Sequence, residues 1–439
     1  MGLPDRKDVP VQQTWDVGIL YENDDAWQKD IEAEKKALAD FSKYDQKLND
    51  PETIISALDD LGEMEVRMDL LGHYGFLQQS TDMTDPHYNQ LLRILDQLEA
   101  DYNAELAKYR AQIMDNDNET LDAVSDKRPD LGAAIREFKR IKKHRLSSEV
   151  ESALSSIEPT LSSFEGIYTT CRAADMSFPD FEVDGKTYPL SFVLYENSYQ
   201  YNPDHKLRHA AFKAFSKVLN QYKNTVAANY YAQVSKEKNM ATLRGYDSVF
   251  DYLLDDQEVP REFFDRQIDV IIEKLGPVMQ KYVKLIQKER GLDKLTFSDL
   301  QIDLDPEFAP KVPLDKAPEY ISDAIKVLGP KYHDMIMKCF DERWVDFPAN
   351  KGKETGGFET TPYGKHAYIL MSWTDEMADV YTLVHELGHA GQEMLTNKTN
   401  HPLSCGVSTY IVEAPSTFNE LLLTHALEEK SSSGCSVSP

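Results

Sequence analysis

Cysteine is scarce in this sequence and is never clustered. The chain has 439 residues and four cysteines, and no two of them form a C-x-x-C pair. A disulfide framework places an even set of cysteines at short, regular intervals in a small secreted chain. The four here are widely spaced, at Cys171, Cys339, Cys405 and Cys435. We therefore expect reduced thiols.

The sequence also lacks long apolar runs. The first eight residues, Met1 to Asp8, contain no apolar stretch typical of a secretory leader. No later run has the length that a membrane-spanning helix requires. These two absences predict a protein without membrane partners, with the cytoplasm as its compartment.

Positive charge is in short supply. Lysine and arginine total 48 against 75 aspartates and glutamates, which gives a formal net charge of −27. Such a surplus disfavours nucleic acid and anionic membranes as partners. One basic stretch, from Arg136 to Arg145, is interleaved with Ile135, Phe138 and Ile141 at helical spacing. We interpret it as the solvated face of an amphipathic helix.

Several catalytic signatures are missing, and one is present. There is no P-loop, no glycine fingerprint for dinucleotides and no serine elbow. The chain does contain H-E-x-x-H, as His385-Glu386-Leu387-Gly388-His389. On a helix, residues four apart lie on one face, so both histidines can reach one zinc ion while Glu386 reaches the water beside it. The pattern from Asp375 to Leu395 predicts that helix, with Ser372 or Thr374 as its N-cap.

The third zinc ligand must come from elsewhere in the chain. A metzincin would need glycine and histidine at the positions of Gln392 and Leu395, so that class is excluded. A glutamate on a following helix is the other common solution, and Glu413 and Glu420 are both candidates. We favour Glu413 as the ligand and Glu420 as an acceptor for a ligating imidazole N–H, while Glu420 as the ligand stays open. His401 and Cys405, in the loop between, are better interpreted as structural residues.

Three stretches of the chain resemble the oligoendopeptidase F family, relatives of thimet oligopeptidase. The first runs from Tyr368 to Leu423 and includes Asp-Val-Tyr-Thr-Leu-Val before the H-E-L-G-H motif and Glu-Ala-Pro-Ser-Thr-Phe-Asn-Glu after it. The others are His144-Arg-Leu-Ser with Glu149 and Glu151, and Asp204 to Gly245. Together they make the resemblance extend over roughly residues 65 to 425. It implies one zinc ion per chain on His385, His389 and Glu413, with Glu386 as general base.

The resemblance also implies a fold and a domain division. The expected fold is mainly α, a two-lobed helical zincin-type metallopeptidase with a small β-sheet beside the H-E-x-x-H helix. We expect an N-terminal helical lobe over 1–195 and a zinc-peptidase domain over 196–430. Residues 431–439 have no apolar periodicity and differ from the family's continuation, so we predict a non-family tail and a domain shortened at its C-terminus.

Two local patterns add detail to this fold. Phe181-Glu-Val, Asp184-Gly185 and Lys186-Thr-Tyr predict a β-hairpin, because Asp-Gly suits the turn that matches strand twist. A long helix is predicted over Pro203 to Leu243. Its buried stripe is expected to contain Leu207, Ala211, Phe215, Val218, Tyr222, Val226 and Tyr230.

The segment from residue 354 to 371 bears on substrate binding. Gly356-Gly357-Phe358 followed by Thr360 to Leu370 predicts a glycine-rich loop leading into an edge strand beside the zinc helix. In the family such a strand pairs with the peptide backbone, and main-chain pairing accepts any side chain. On this interpretation the substrate-binding residues are Gly357, Phe358, His366, Ala367 and Tyr368. An ordinary core strand is the equally weighted alternative.

The function implied is hydrolysis of short unstructured oligopeptides by a zinc-dependent endopeptidase. Family members are usually longer, and their histidine and tyrosine transition-state donors follow the glutamate ligand in a later helical segment. The alternatives are a zinc-binding but catalytically impaired chain, a dipeptidyl carboxypeptidase, and a helical adaptor in which the motif is accidental. The sequence gives no prediction of oligomeric state.

Overall fold

The computed structural model describes residues 3–432 with the exception of 306, 307 and 309. The chain divides into two compact units. Unit 1 combines Met1–Lys143 with Ala309–Pro439, and unit 2 is the intervening His144–Phe308. Unit 1 is therefore assembled from two segments that are far apart in sequence.

Helices make up most of the described chain. In chain order, the helices up to the start of unit 2 are α1 (Asp24–Asp40), α2 (Pro51–Thr81), α3 (Pro86–Asp115), α4 (Asn118–Lys127) and α5 (Gly132–His144). Unit 2 contains α6 (Ser148–Leu161), α7 (Ser163–Thr170), β1 (Phe181–Val183), β2 (Lys186–Tyr188), α8 (Phe192–Asn197), α9 (His205–Leu243), α10 (Val249–Asp255), α11 (Arg261–Val270) and α12 (Gly276–Glu289). The second segment of unit 1 contains α13 (Ala317–Ile325), α14 (Pro330–Met337), β3 (Val345–Asp346), β4 (Phe358–Thr360), β5 (Tyr368–Leu370), α15 (Met377–Thr399) and α16 (Thr409–Ser432).

Helix α2 shows how the local sequence defines an element. Asp50 caps its N-terminus by accepting from the backbone N–H groups of Glu52 and Thr53. Pro51 follows at the first helical position, where its missing N–H costs nothing. The helix buries Ile54, Leu58, Leu61, Met64, Met68, Leu71 and Leu77 along one side. These residues form the centre of the first hydrophobic cluster of unit 1, shared with α1, α3 and α4.

A three-stranded sheet lies between the two hydrophobic clusters of unit 1. Its order is β3-β5-β4, with β3 parallel and β4 antiparallel to β5. Tyr368 and Leu370 pack into the cluster of the N-terminal helices. Ala367, Ile369 and Met371 pack into the cluster that α13, α14 and α15 form. Because side chains alternate along a strand, β5 is buried on both faces.

This topology corrects the predicted edge strand. The strand through Tyr368 is the central one, since β5 is paired on both sides, and Ala367 and Tyr368 are fully buried. The edge strand beside α15 is the preceding β4, which begins at Phe358. The prediction was wrong here because consecutive apolar residues indicate burial but do not give the strand order.

Unit 2 contains the predicted hairpin. Strands β1 and β2 pair antiparallel, and Asp184 (φ 48°) and Gly185 (φ 76°) both adopt the left-handed conformation of a primed turn. Helix α9 runs over 39 residues, as predicted to within two residues. Its expected stripe is buried only as far as Val218, because β1 and α8 pack against the first half alone, and Tyr230 is 70% exposed.

The fold class is confirmed as mainly α with small sheets. The compact units do not coincide with the predicted segments 1–195 and 196–430, which stay a prediction. Of the predicted tail, Ser431 and Ser432 end α16, and residues 433–439 lie outside the described part of the chain. Among the described helices, none has both the length and the apolar character needed to span a bilayer.

Candidate active site

Helix α15 carries the H-E-x-x-H motif. Its N-cap is Glu376, not Ser372 or Thr374 as predicted, and Glu376 forms a reciprocal capping box with Asp379. The helix buries Val380, Leu383, Val384, Leu387 and Ala390 against the second hydrophobic cluster. This packing fixes the rotation of the helix about its axis. As a result His385 and His389, one turn apart, lie on the half-buried side that faces α16.

Helices α15 and α16 run antiparallel in close contact. Four contacts show the direction, because the residue number increases along α16 as it decreases along α15. They are His389 with Glu413, Gly388 with Ser416, His385 with Glu420 and Tyr381 with Thr424. Gly388 permits the approach. A Cβ built there would come 2.6 Å from Ser416 Cα and 2.7 Å from Pro415 O.

Three ligand atoms converge where the two helices meet. Glu413 Oε2 lies 3.2 Å from His385 Nε2 and 3.4 Å from His389 Nε2. One ligand atom from each of the three residues falls within 4.8 Å of the others. Two imidazoles and a carboxylate are a donor set typical of catalytic zinc, which keeps a fourth position for water. The predicted ligand set His385, His389 and Glu413 therefore fits a zinc ion.

Glu420 occupies a different place from Glu413. Its Oε1 accepts a hydrogen bond of 2.6 Å from His385 Nδ1. With Nδ1 as the donor, the lone pair of His385 Nε2 points at the ligand cluster. The geometry thus favours the predicted acceptor role for Glu420 over a ligand role.

The charges of the site suit metal binding. Burial lowers the pKa of His389, which keeps the ring neutral and available as a ligand. A hydrogen bond from Ser416 is the main cause that lowers the pKa of Glu413, so this carboxyl stays ionised. His401 and Cys405 are not part of this cluster in the part of the chain that the structure describes.

Glu386 lies on the buried side of the same helix. It is 7% exposed, and burial raises its pKa to about 7. A general base is most effective when its pKa lies near the working pH. Gly357 stands directly beside it: a Cβ at Gly357 would lie 3.8 Å from Glu386 Oε1 and 3.3 Å from Leu370 O. The absence of a side chain at Gly357 leaves room next to the carboxylate.

The predicted substrate-binding residues separate into two groups. Gly357 and Phe358 belong to the edge-strand region beside α15, and the Phe358 ring packs on Phe76 and Trp15. His366, Ala367 and Tyr368 belong to the buried central strand and its approach. His366 stacks on Trp344 at 5.2 Å, and the Tyr368 hydroxyl donates to Asp16 O. The substrate-binding role stays a prediction, and the geometry favours it for the first group only.

Three residues near the site were not predicted. Glu359 lies on β4, and Glu393 and Asn397 follow the motif on α15. Thr361 Oγ1 donates to Glu359 Oε1. Burial and the nearby carboxylate of Glu393 raise the pKa of Glu359 well above its ordinary value. For Glu393 and Asn397 the available signal was spacing, because residues 385, 389, 393 and 397 form one stripe at four-residue steps.

Comparisons with known proteins find a matching family and similar sequences. The model of peptidase family M3 matches residues 198–436, and the oligopeptidase F model matches residues 103–178. Oligopeptidase PepF of Bacillus subtilis (strain 168) is 29% identical over 427 residues, covering 96% of this chain and 63% of that protein. An oligoendopeptidase F homolog of Borreliella burgdorferi is 26% identical, covering 96% and 71%.

Solved structures share the fold. A Chlamydophila abortus protein described as a peptidase has a TM-score of 0.82 at 21% identity, covering 98% of this chain and 73% of that one. Oligoendopeptidase-F from Enterococcus faecium has a TM-score of 0.62 at 20% identity, covering 92% and 68%. The chain thus spans less than two thirds of the Bacillus subtilis relative and about 70% of these structures.

Proposed function

The chain belongs to peptidase family M3, and from this premise we propose that it is a zinc-dependent endopeptidase that hydrolyses short, unstructured oligopeptides. The observation that carries the proposal is the convergence of His385, His389 and Glu413 beside the buried Glu386. The names of the relatives, oligopeptidase and oligoendopeptidase, support peptides as the substrate class. The cytoplasmic location and the exclusion of nucleic acid and membrane as partners stay predictions.

Each residue has a defined part in the proposed reaction. His385, His389 and Glu413 would hold the zinc ion, which would act as a Lewis acid toward the scissile carbonyl and the attacking water. Glu386 takes a proton from that water and returns it to the leaving amine. Glu420 keeps the His385 ring in one tautomer by accepting from Nδ1.

The peptide would be held by the edge strand. Among the described strands β4 pairs with β5 alone, and Gly357, immediately before β4, stands beside Glu386. A peptide paired along the free edge of β4 would be extended and would pass the general base. Main-chain hydrogen bonds do not depend on side-chain identity, which accounts for broad specificity.

Cleavage of a quenched fluorescent oligopeptide tests the proposal, with zinc quantified on the same sample and Glu386→Gln as control. We expect about one zinc ion per chain, and turnover that falls by at least about a hundredfold in the variant, which keeps its zinc. Zinc without turnover in the unchanged chain would instead indicate metal binding without hydrolysis. A chain that holds no zinc would contradict the proposal. Release of dipeptides from the C-terminus alone would identify a dipeptidyl carboxypeptidase.

A further inference from the structure

The stripe that holds the two metal-ligating histidines continues along α15. Glu393 follows His389 by four residues, and Asn397 follows Glu393 by four. Successive members of such a stripe are about 6 Å apart along the helix axis, so all four side chains lie on one rigid rod. The first two reach the metal centre. The last two reach the chain immediately after strand β4.

Both contacts are made to the peptide groups of a single residue, Thr361. Its backbone N–H donates to Glu393 Oε2 at 3.2 Å, and its backbone carbonyl accepts from Asn397 Nδ2 at 3.2 Å. Thr361 is 5% exposed. Its main-chain donor and acceptor are therefore both engaged by α15, and β4 ends one residue earlier, at Thr360.

Helix α2 holds the same stretch from another direction. His73 Nε2 is hydrogen-bonded to Thr360 Oγ1 at 2.7 Å. The backbone N–H of Tyr363 donates to Asp69 Oδ2, also at 2.7 Å. Residues 360 to 363 are thus fixed by side chains from two long helices, whereas Gly356 and Gly357 before β4 are exposed.

We propose that Glu393 and Asn397 are positioning residues that fix the end of edge strand β4 to the zinc helix, and so set where a paired peptide stands relative to the metal. The proposal rests on the function proposed above. A peptide added to β4 can pair as far as Thr360 but not with Thr361, whose donor and acceptor are taken. Glu393 and Asn397, which together we call the clamp, therefore end the pairing strand at Thr360, while Gly357, just before the strand, stands beside Glu386.

Loss of the clamp has a specific kinetic signature. Without the clamp, the peptide must order β4 when it binds. The conformational entropy lost in that ordering makes the binding free energy less favourable. Glu386 and the two histidines lie on α15 and Glu413 lies on α16, and the hydrophobic cluster that holds these helices includes neither Glu393 nor Asn397. We therefore expect KM to rise while kcat and zinc content change little.

Four variants test this: Glu393→Ala, Asn397→Ala, Glu393→Gln, and Lys398→Ala as an exposed control on the same helix. Glu393→Ala and Asn397→Ala, the two alanine variants of the clamp, should raise KM about tenfold with kcat within about twofold and unchanged zinc, whereas Lys398→Ala should change none of these. Glu393→Gln keeps an oxygen that accepts from Thr361 N–H, so KM should return to near that of the unchanged chain. Hydrogen-exchange mass spectrometry should show faster exchange over residues 357–361 in the alanine variants only.

Peptide binding separates the clamp from the proposed hydrolysis. In a Glu386→Gln background, the dissociation constant of an uncleaved fluorescent peptide should rise in the alanine variants as KM does. A chain that binds peptides without cleaving them would contradict the proposed function while the binding and exchange data still decide the clamp. Two results would overturn the clamp proposal. One is unchanged exchange over residues 357–361. The other is a fall in kcat as large as the rise in KM that Glu393→Gln does not rescue.

Discussion

His385 presents its two ring nitrogens to two different carboxylates of α16. Nε2 lies 3.2 Å from Glu413, in the ligand cluster, and Nδ1 donates to Glu420 at 2.6 Å. Such outer acceptors orient a ligating imidazole, and their loss typically weakens metal binding by about ten- to a hundredfold. We expect Glu420→Ala, which removes the acceptor, to lower zinc affinity by that factor, as measured by competition with a chelator. Glu428→Ala removes an exposed carboxylate from the same helix and should leave the affinity unchanged. Equal affinities in both variants would show that Glu420 does not orient the ligand.

Glu359 makes stability depend on pH. Burial, together with the carboxylates of Glu393 and Glu386, raises its pKa well above the ordinary 4.5 of glutamate. The folded state therefore holds a proton that the unfolded chain releases, so stability falls as the pH rises above 4.5 toward the raised pKa. Glu359→Gln keeps an acceptor for Thr361 and removes this titration. We expect the variant to melt at a higher temperature than the unchanged chain at pH 8 and at a similar temperature at pH 4.5. A melting-temperature difference that is the same at every pH would contradict the explanation.

Close packing of α15 on α16 places Glu413 against the two histidines. Gly388 is the point of nearest approach, where a Cβ would meet the backbone of Pro415 and Ser416 below 3 Å. Since backbone atoms cannot move aside as a flexible side chain can, Gly388→Ala must displace α16. We expect this variant to lose zinc affinity and to be destabilised by about 1–3 kcal/mol in chemical denaturation. Gly406→Ala, in the loop between the helices, has no atom within 4 Å of the added Cβ and should retain both properties. Full zinc affinity in Gly388→Ala would show that α16 tolerates the shift.

Elements defined by local pattern were predictable, and their partners were not. The apolar spacing around Val384 and Leu387 gave α15 almost to its ends, and Asp184-Gly185 gave the hairpin. The N-cap was wrong because Glu376, a poor capping residue in isolation, acts only through its reciprocal bonds with Asp379. Strand order and the contacts of residues 360 to 363 depend on residues about 30 to 290 positions away, which no local pattern encodes.

The proposed metal ligands were likewise predictable in part. Spacing and helical geometry in the sequence indicate His385, His389 and the candidates Glu413 and Glu420. The choice between the two glutamates depends on how closely α16 packs on α15 and in which register. The contact of Gly388 with Pro415 defines both. The sequence does not single out Glu393, because an acidic residue on a helix is usually a solvated one.

At the scale of the whole molecule, the N-terminal segment is tied to the sheet of unit 1. Arg6 forms two hydrogen bonds with Asp346, a fully buried residue of β3. Lys353 also binds this carboxylate, and it donates to the backbone oxygens of Asp346, Pro348 and Met371. The pair joins the first residues of the chain to a strand 340 positions later.

Removal of Arg6 should loosen that connection. Arg6→Ala leaves the buried Asp346 with Lys353 as its remaining cation, and hydrogen bonds to charged groups contribute about 1.5–3 kcal/mol each. We expect the melting temperature to fall by several degrees while zinc content and kcat are retained. Lys351→Ala breaks an exposed pair with Asp5 nearby and should leave the melting temperature unchanged. Equal melting temperatures for the two variants would contradict a stabilising role for the buried pair.

The two-segment construction of unit 1 has a consequence for the order of events on the ribosome. Helices α1 to α4 emerge early, but the sheet residues Tyr368 and Leu370, which complete their cluster, follow the whole of unit 2. At translation rates of about 5–20 residues per second, the first half of unit 1 waits on the order of ten seconds or more for its partner. Unit 2 is continuous in sequence and needs no such wait. The three proposed metal ligands are all synthesised after residue 384, so the metal centre can form only after the first segment of unit 1 and the whole of unit 2 have been made.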